Sequence, residues 1–165
     1  MRAMFRGIDR AMEFALFAIF LAFSLVGGLQ IFNRFVLGLP LSWSEEFQKF
    51  GHIWMVFLAI PIAYRRGAHI GMDVVLIRMP PAFRCMIGLA IEILWLLLAA
   101  AIGFYTIKVM EVAKFQESPG LGWRMDYVYA GMVIGAAYLA LIALQRIVAH
   151  FRPDLAMPVQ EFSEA

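Results

Sequence analysis

Glu92 is the one carboxylate set well inside a long apolar stretch, on the same helical face as Gly88, Ala99 and Gly103. At that depth a carboxyl group either relays protons, as in a coupled carrier, or is protonated, paired or held near the cytoplasmic surface. An ionised side chain such as Asp at a helix centre costs roughly 2.5–3.5 kcal/mol on insertion scales. A carrier normally supplies a second polar group at membrane depth, and the stretch around Glu92 offers no obvious one. Haem ligation fails on placement: His52 falls near one membrane surface and His69 and His150 near the other, so no two histidines sandwich an iron across the bilayer. Cys85 is the only cysteine, which excludes an intramolecular disulfide, a CxxC pair and a cysteine zinc site. No cofactor, metal site or catalytic residue is expected.

The densest polar segment runs from Leu41 to Lys49. Ser42 and Glu45 have the spacing of a capping box, Pro40 sets up the turn, and Glu45 and Glu46 complement the positive end of a helix dipole. Lys49 follows Glu45 by four residues and Glu46 by three, the favourable order for helical ion pairs, and Arg34 across a short turn could close the cluster. Every one of these charges has a structural use, and the same collar of Arg34, Trp43, Glu45, Glu46 and Lys49 could instead brace a second protein.

These residues hang on four apolar blocks. The chain has 165 residues, of which 63% are hydrophobic and 16% charged, against roughly 45–50% and about 25% in ordinary soluble domains. Four stretches approach the roughly 20 residues of a spanning helix: Ala11 to Phe32, Phe47 to Tyr64, Met86 to Ile107 and Tyr127 to Val148. The first is longer than the apolar region of a signal peptide and reads as a retained helix. The second, with Lys49, His52 and Pro61, is the least hydrophobic; Pro61 removes a backbone donor, kinks the helix and frees the carbonyl of Phe57 for a neighbour. The expected fold is an all-α integral membrane protein with four transmembrane helices, residues 1–152, followed by a flexible tail, 153–165.

Arg2, Arg6, Arg10, Arg65, Arg66, Arg78, Arg84, Arg146 and Arg152 flank one side, against Arg34, Lys49, Lys108, Lys114 and Arg124 on the other. The positive-inside bias then puts both termini in the cytoplasm. Trp43, Trp123 and Tyr127 are expected at the outer interface and Tyr64 at the inner one. Between helices two and three, Asp73 reads as the N-cap of a short interfacial helix, 74–79, stopped by Pro80 and Pro81. With a net charge of +2 and no basic face, nucleic-acid binding has no support. Small residues form packing stripes: Ala11, Ala15, Ala18 and Ala22 in the first span, Gly131 and Gly135 as a GxxxG pair in the fourth. They hold the four helices together or receive a partner.

Asn33-Arg34-Phe35, Trp43-Ser44-Glu45-Glu46, Trp54, Phe57-Leu58, Ala63-Tyr64-Arg65 and His69-Ile70-Gly71-Met72-Asp73 together resemble the small membrane subunit, DctQ-type, of tripartite ATP-independent periplasmic (TRAP) transporters. The resemblance covers essentially the whole chain, and Ser118-Pro119 to Gly135 is similar to the family's last loop and helix. Two positions depart from it: Ala59 stands where relatives often have Gly, and Val133-Ile134 where a proline often precedes Gly135. The resemblance implies a bacterial inner-membrane, multi-pass scaffold subunit of a symporter that takes up an organic acid with sodium. It implies as partners a large membrane subunit, DctM-type, a periplasmic solute-binding protein, and membrane lipids. The solute and sodium sites would belong to the large subunit, and Arg34, Trp43, Glu45, Glu46, Lys49, Trp54, Arg65, His69 and Asp73 would serve as interface or structural motif. A small proton-coupled four-helix carrier using Glu92, or an anchoring subunit of another membrane complex, shares the gross features.

Overall fold

The computed structural model describes residues 2–39, 41–66 and 80–151, with the backbone alone for 2–6, 81–82 and 84. Four long helices account for nearly all of these. α1, Arg2–Phe32, opens the chain and runs into a π-helical turn, Asn33–Leu37, closed by Gly38 at φ 65°. α2 is Ser42–Arg65, α3 is Pro81–Ala113 and α4 is Met125–Phe151. Each apolar block therefore lies within a longer helix, because backbone hydrogen bonding does not stop where hydrocarbon does. Pro81 sits at the first position of α3, where its missing N–H costs nothing.

α1, α3 and α4 are long and apolar enough to cross a membrane. α2 has 24 residues, about 36 Å at 1.5 Å per residue against a hydrocarbon core of about 30 Å, but its polar first half keeps its hydropathy lower. His69, Asp73 and the expected interfacial helix lie outside the described residues, as does the tail from 152.

The helices pack as an open row in the order α1, α2, α4, α3. Since consecutive helices alternate in direction, α2 and α4 run parallel at the centre of the row. Burial follows this order: 44% of the apolar window of α4 is buried, 6% of that of α3 and none of that of α1. Leu58, Ile62, Ala99, Val128, Ala136, Leu139, Ile142 and Ala143 form the dry interior. The outer faces of α1 and α3 carry exposed Phe14, Phe17, Leu25, Leu94, Leu97 and Phe104, as lipid contact requires.

Small residues set the α2–α4 distance. A Cβ placed at Gly131 would lie 2.7 Å from the Trp54 indole, and one at Gly135 would run into the carbonyl oxygen of Phe57. Pro61, four residues on from Phe57, cannot donate to that carbonyl, so the freed oxygen faces the Cα of Gly135 instead. Of the alanine stripe in α1, Ala15 and Ala22 are partly buried while Ala18 is exposed.

The capping box is not formed. α2 begins at Ser42 with Leu41 as its N-cap and no side-chain cap bond, placing Glu45 one position too deep for the reciprocal contact. The buried Ser44 hydroxyl donates to the Leu41 carbonyl at 2.6 Å instead.

Candidate functional site

Three acids and three arginines meet at the end of the row where the α1 and α3 starts lie beside the α2 and α4 ends. Asp9 accepts from Arg65 Nη1 at 2.8 Å and from the Tyr138 hydroxyl, and Arg65 Nη1 also donates to that hydroxyl at 3.1 Å. This joins α1, α2 and α4, and leaves Asp9 Oδ2 buried without a hydrogen-bond partner among the described residues. Arg66 pairs with Glu13, one turn along α1 from Asp9. Glu92 of α3 accepts from the Tyr64 hydroxyl of α2 and lies 3.4 Å from Arg146 Nη1 of α4. Arg146 Nη2 donates to the Tyr64 carbonyl at 2.6 Å, and its guanidinium lies over the Tyr64 ring, 4.2 Å from the centroid. Its second carbonyl contact, Arg65 O at 3.4 Å, extends the same cap over the free C-terminal end of α2.

This network corrects one sequence expectation: Glu92 has polar partners, supplied by two other helices. Tyr64 is 2% exposed, packed against Trp95 and hydrogen-bonded to Glu92. Asp9, Glu13, Tyr138 and Arg146 were not singled out as a site in the sequence. The available signal was a matched set of acids and arginines at the same ends of the blocks, but the partners lie as far apart as Asp9 and Tyr138, 129 residues.

At the opposite end, the connection from α3 to α4 folds on itself. Glu117 and Arg124 form an antiparallel bridge, Ser118 N donates to the Trp123 carbonyl at 2.8 Å, and Gly122 turns the chain at φ 65°. The loop then docks on α2: the backbone N–H groups of Gly120 and Leu121 donate to the Glu46 carboxylate at 3.0 Å. A Cβ at Gly120 would come within 3.0 Å of that carboxylate. Partial desolvation opposes ionisation, but hydrogen bonds from Ser118, Gly120 and Leu121, with Lys49 nearby, outweigh it and hold the Glu46 carboxyl below its ordinary value of 4.5.

The expected collar thus divides. Glu46 turns to the loop and Trp43 is half-buried, while Arg34, Glu45 and Lys49 are exposed. Among the described residues these three form no hydrogen bond or ion pair. Near this end, Gln48 of α2 donates to Gln30 of α1 at 2.5 Å, closing the α1–α2 seam. Apolar clefts among the described residues include one of about 310 Å³ bounded by Ile19, Phe47, Trp54 and Trp123 and one of about 290 Å³ bounded by Phe57, Ala63, Trp95, Ile102 and Leu139.

Comparison with known proteins agrees with this architecture. A TRAP transporter small permease protein of Haemophilus influenzae is 22% identical over 149 residues, covering 88% of each chain. The sialic acid TRAP transporter small permease SiaQ of Vibrio cholerae is 25% identical over 118 residues, 72% of this chain and 68% of the relative. The isethionate TRAP transporter permease DctMQ of Oleidesulfovibrio alaskensis is 26% identical over 112 residues, which are 67% of this chain but only 18% of that longer one. The family model for the DctQ component of tripartite ATP-independent periplasmic transporters matches residues 23–153. The chain belongs to that family: it is a multi-pass membrane subunit of the TRAP transporter small-permease type.

Proposed function

We propose that this chain is the non-catalytic scaffold subunit of a TRAP-type symporter in a bacterial inner membrane, bracing a large permease subunit that takes up an organic acid with sodium. The observation that carries this reading is the match to DctMQ, in which a segment like this one is a minor part of a single, much longer permease chain. A unit that works fused to a large permease in one protein is suited to work bound to one in another. The names of the relatives, for isethionate and sialic acid, support an organic acid as the solute class. A periplasmic solute-binding protein then completes the system.

In this reading all four helices span the membrane, α2 included, because its polar first half is shielded by α1, α4 and the subunit it braces. Both termini and the Asp9–Arg65–Glu92–Arg146 network face the cytoplasm, on the side favoured by nine of the fourteen Lys and Arg residues. The loop docked on Glu46 faces the periplasm.

The test is co-purification. A tagged form of this chain, co-expressed with its large permease, is expected to carry that permease through purification in mild detergent. Recovery of the chain free of it, with the large permease active alone, would contradict the proposal.

A further inference from the structure

α2 packs on α1 and α4 and, through Tyr64 near its end, on Glu92 and Trp95 of α3, with Ala63 at the edge of the cleft toward Trp95; one stripe of the helix is left uncovered. Toward α1 it presents Gln48 to Gln30 and Gly51 to Ile19 and Phe23. Toward α4 it presents Trp54 to Gly131 and Phe57 to Gly135. The uncovered stripe carries Glu45, Lys49, His52, Val56, Ala59 and Ala63, all exposed except the partly exposed Ala59. Their spacing alternates four and three residues throughout, the period of a seam that receives another helix.

The chemistry of this face differs from that of the middle of α1 and α3. α1 and α3 turn large apolar side chains outward, whereas Val56 is the only large apolar residue exposed on α2. Glu45, Lys49 and His52 form no hydrogen bond or ion pair among the described residues. His52 lies six residues beyond Glu46, about 9 Å farther along the axis at 1.5 Å per residue, in the first turns of the apolar stretch. A polar stripe that runs from the collar into the edge of the apolar stretch is better matched by polar partners than by lipid. Farther along the helix, Ala59 and Ala63 leave room for a neighbouring backbone to approach closely, the usual basis of helix association in membranes.

We infer that this seam is the docking surface for a transmembrane helix of the large permease subunit. That helix carries polar groups opposite Glu45, Lys49 and His52 and bulky apolar groups opposite Ala59 and Ala63. The inference rests on the scaffold reading above and adds the surface through which it operates. A second copy of this chain fits the seam poorly: two copies inserted in the same sense pair in parallel, setting Glu45 against Glu45 and Lys49 against Lys49.

The experiment places a photo-crosslinking amino acid at Val56, Ala59 or Ala63, and at Leu21 and Leu97 as controls on the apolar faces of α1 and α3, in the complete transporter in native membranes. Adducts with the large permease are expected from the three seam positions and not from the controls. In parallel, Ala59→Phe should lower the co-purified permease about tenfold, the scale of forcing extra volume into a close-packed contact, while Leu97→Phe leaves it unchanged and both variants insert normally. Adducts of the chain with itself, adducts from Leu21 or Leu97 alone, or no protein adduct in a complex that still co-purifies would overturn the seam and spare the partnership. Failure of the unsubstituted chain to co-purify with the permease would overturn both.

Discussion

Arg146 holds three things at once: the Glu92 carboxylate, the Tyr64 ring and the carbonyls that end α2. Removing it leaves Glu92 paired only with Tyr64 and uncaps α2, whereas Glu92→Gln keeps an acceptor for Tyr64 and leaves Arg146 its carbonyls. Arg146→Met is therefore expected to cost about 1–3 kcal/mol, the scale of removing one partner from a part-buried hydrogen-bonded network, and Glu92→Gln clearly less; thermal unfolding of the purified chain in detergent gives the order. The glycines of α4 offer a second comparison. Gly135→Ala meets the Phe57 backbone, which cannot move alone, while Gly131→Ala meets the Trp54 ring, which can rotate. The first should cost about 1–3 kcal/mol as an overpacked contact and the second less, by the same measurement. At Glu46 the sign of the pH effect follows from its depressed pKa: the docked loop keeps the full contribution above the ordinary value of 4.5 and loses it as pH falls through the lower folded value. Amide exchange at Gly120 and Leu121 should stay slow from neutral pH to about 5, corrected for the intrinsic rate, and rise below 4.5. Glu46→Gln should remove that step.

At the scale of the helix, the sequence was informative wherever the signal is one-dimensional. Runs such as Ala11 to Phe32 or Met86 to Ile107 announce spanning helices by length and hydropathy alone, and Pro61 announced the freed Phe57 carbonyl that Gly135 now faces. What was hidden depends on which helix lies beside which. The order α1, α2, α4, α3 is not written in any local pattern, so the partners of Glu92 and the burial of Tyr64 could not be read. The same holds for Glu46, whose spacing to Ser42 and Lys49 suggested local contacts. Its partners are backbone N–H groups 74 and 75 residues away. The exposed face of α2 was invisible for a related reason: its polar and apolar residues are spread around the helix, and only the positions of α1 and α4 reveal which stripe is left uncovered.

As a whole the molecule is an open row rather than a closed bundle, gathered at one end by ion pairs and tyrosines and at the other by a docked loop. Such a slab presents wide faces to lipid and to a partner, as a subunit that widens a transporter's footprint would. Its orientation is open to test through Cys85, which is exposed near the end shared by the α1 start and the α4 end, 3.1 Å from His150 Nε2. A membrane-impermeant thiol reagent should spare Cys85 in intact cells and modify it in inside-out vesicles; modification from outside alone would reverse the topology. The claim that the chain supports transport without performing it is tested most directly in proteoliposomes. Vesicles holding this chain alone, the large permease alone or both are given the binding protein, solute and an inward sodium gradient. Uptake is expected with both subunits and none with this chain alone, whereas saturable uptake by this chain alone, abolished by Glu92→Gln, would contradict the account and make it a carrier in its own right.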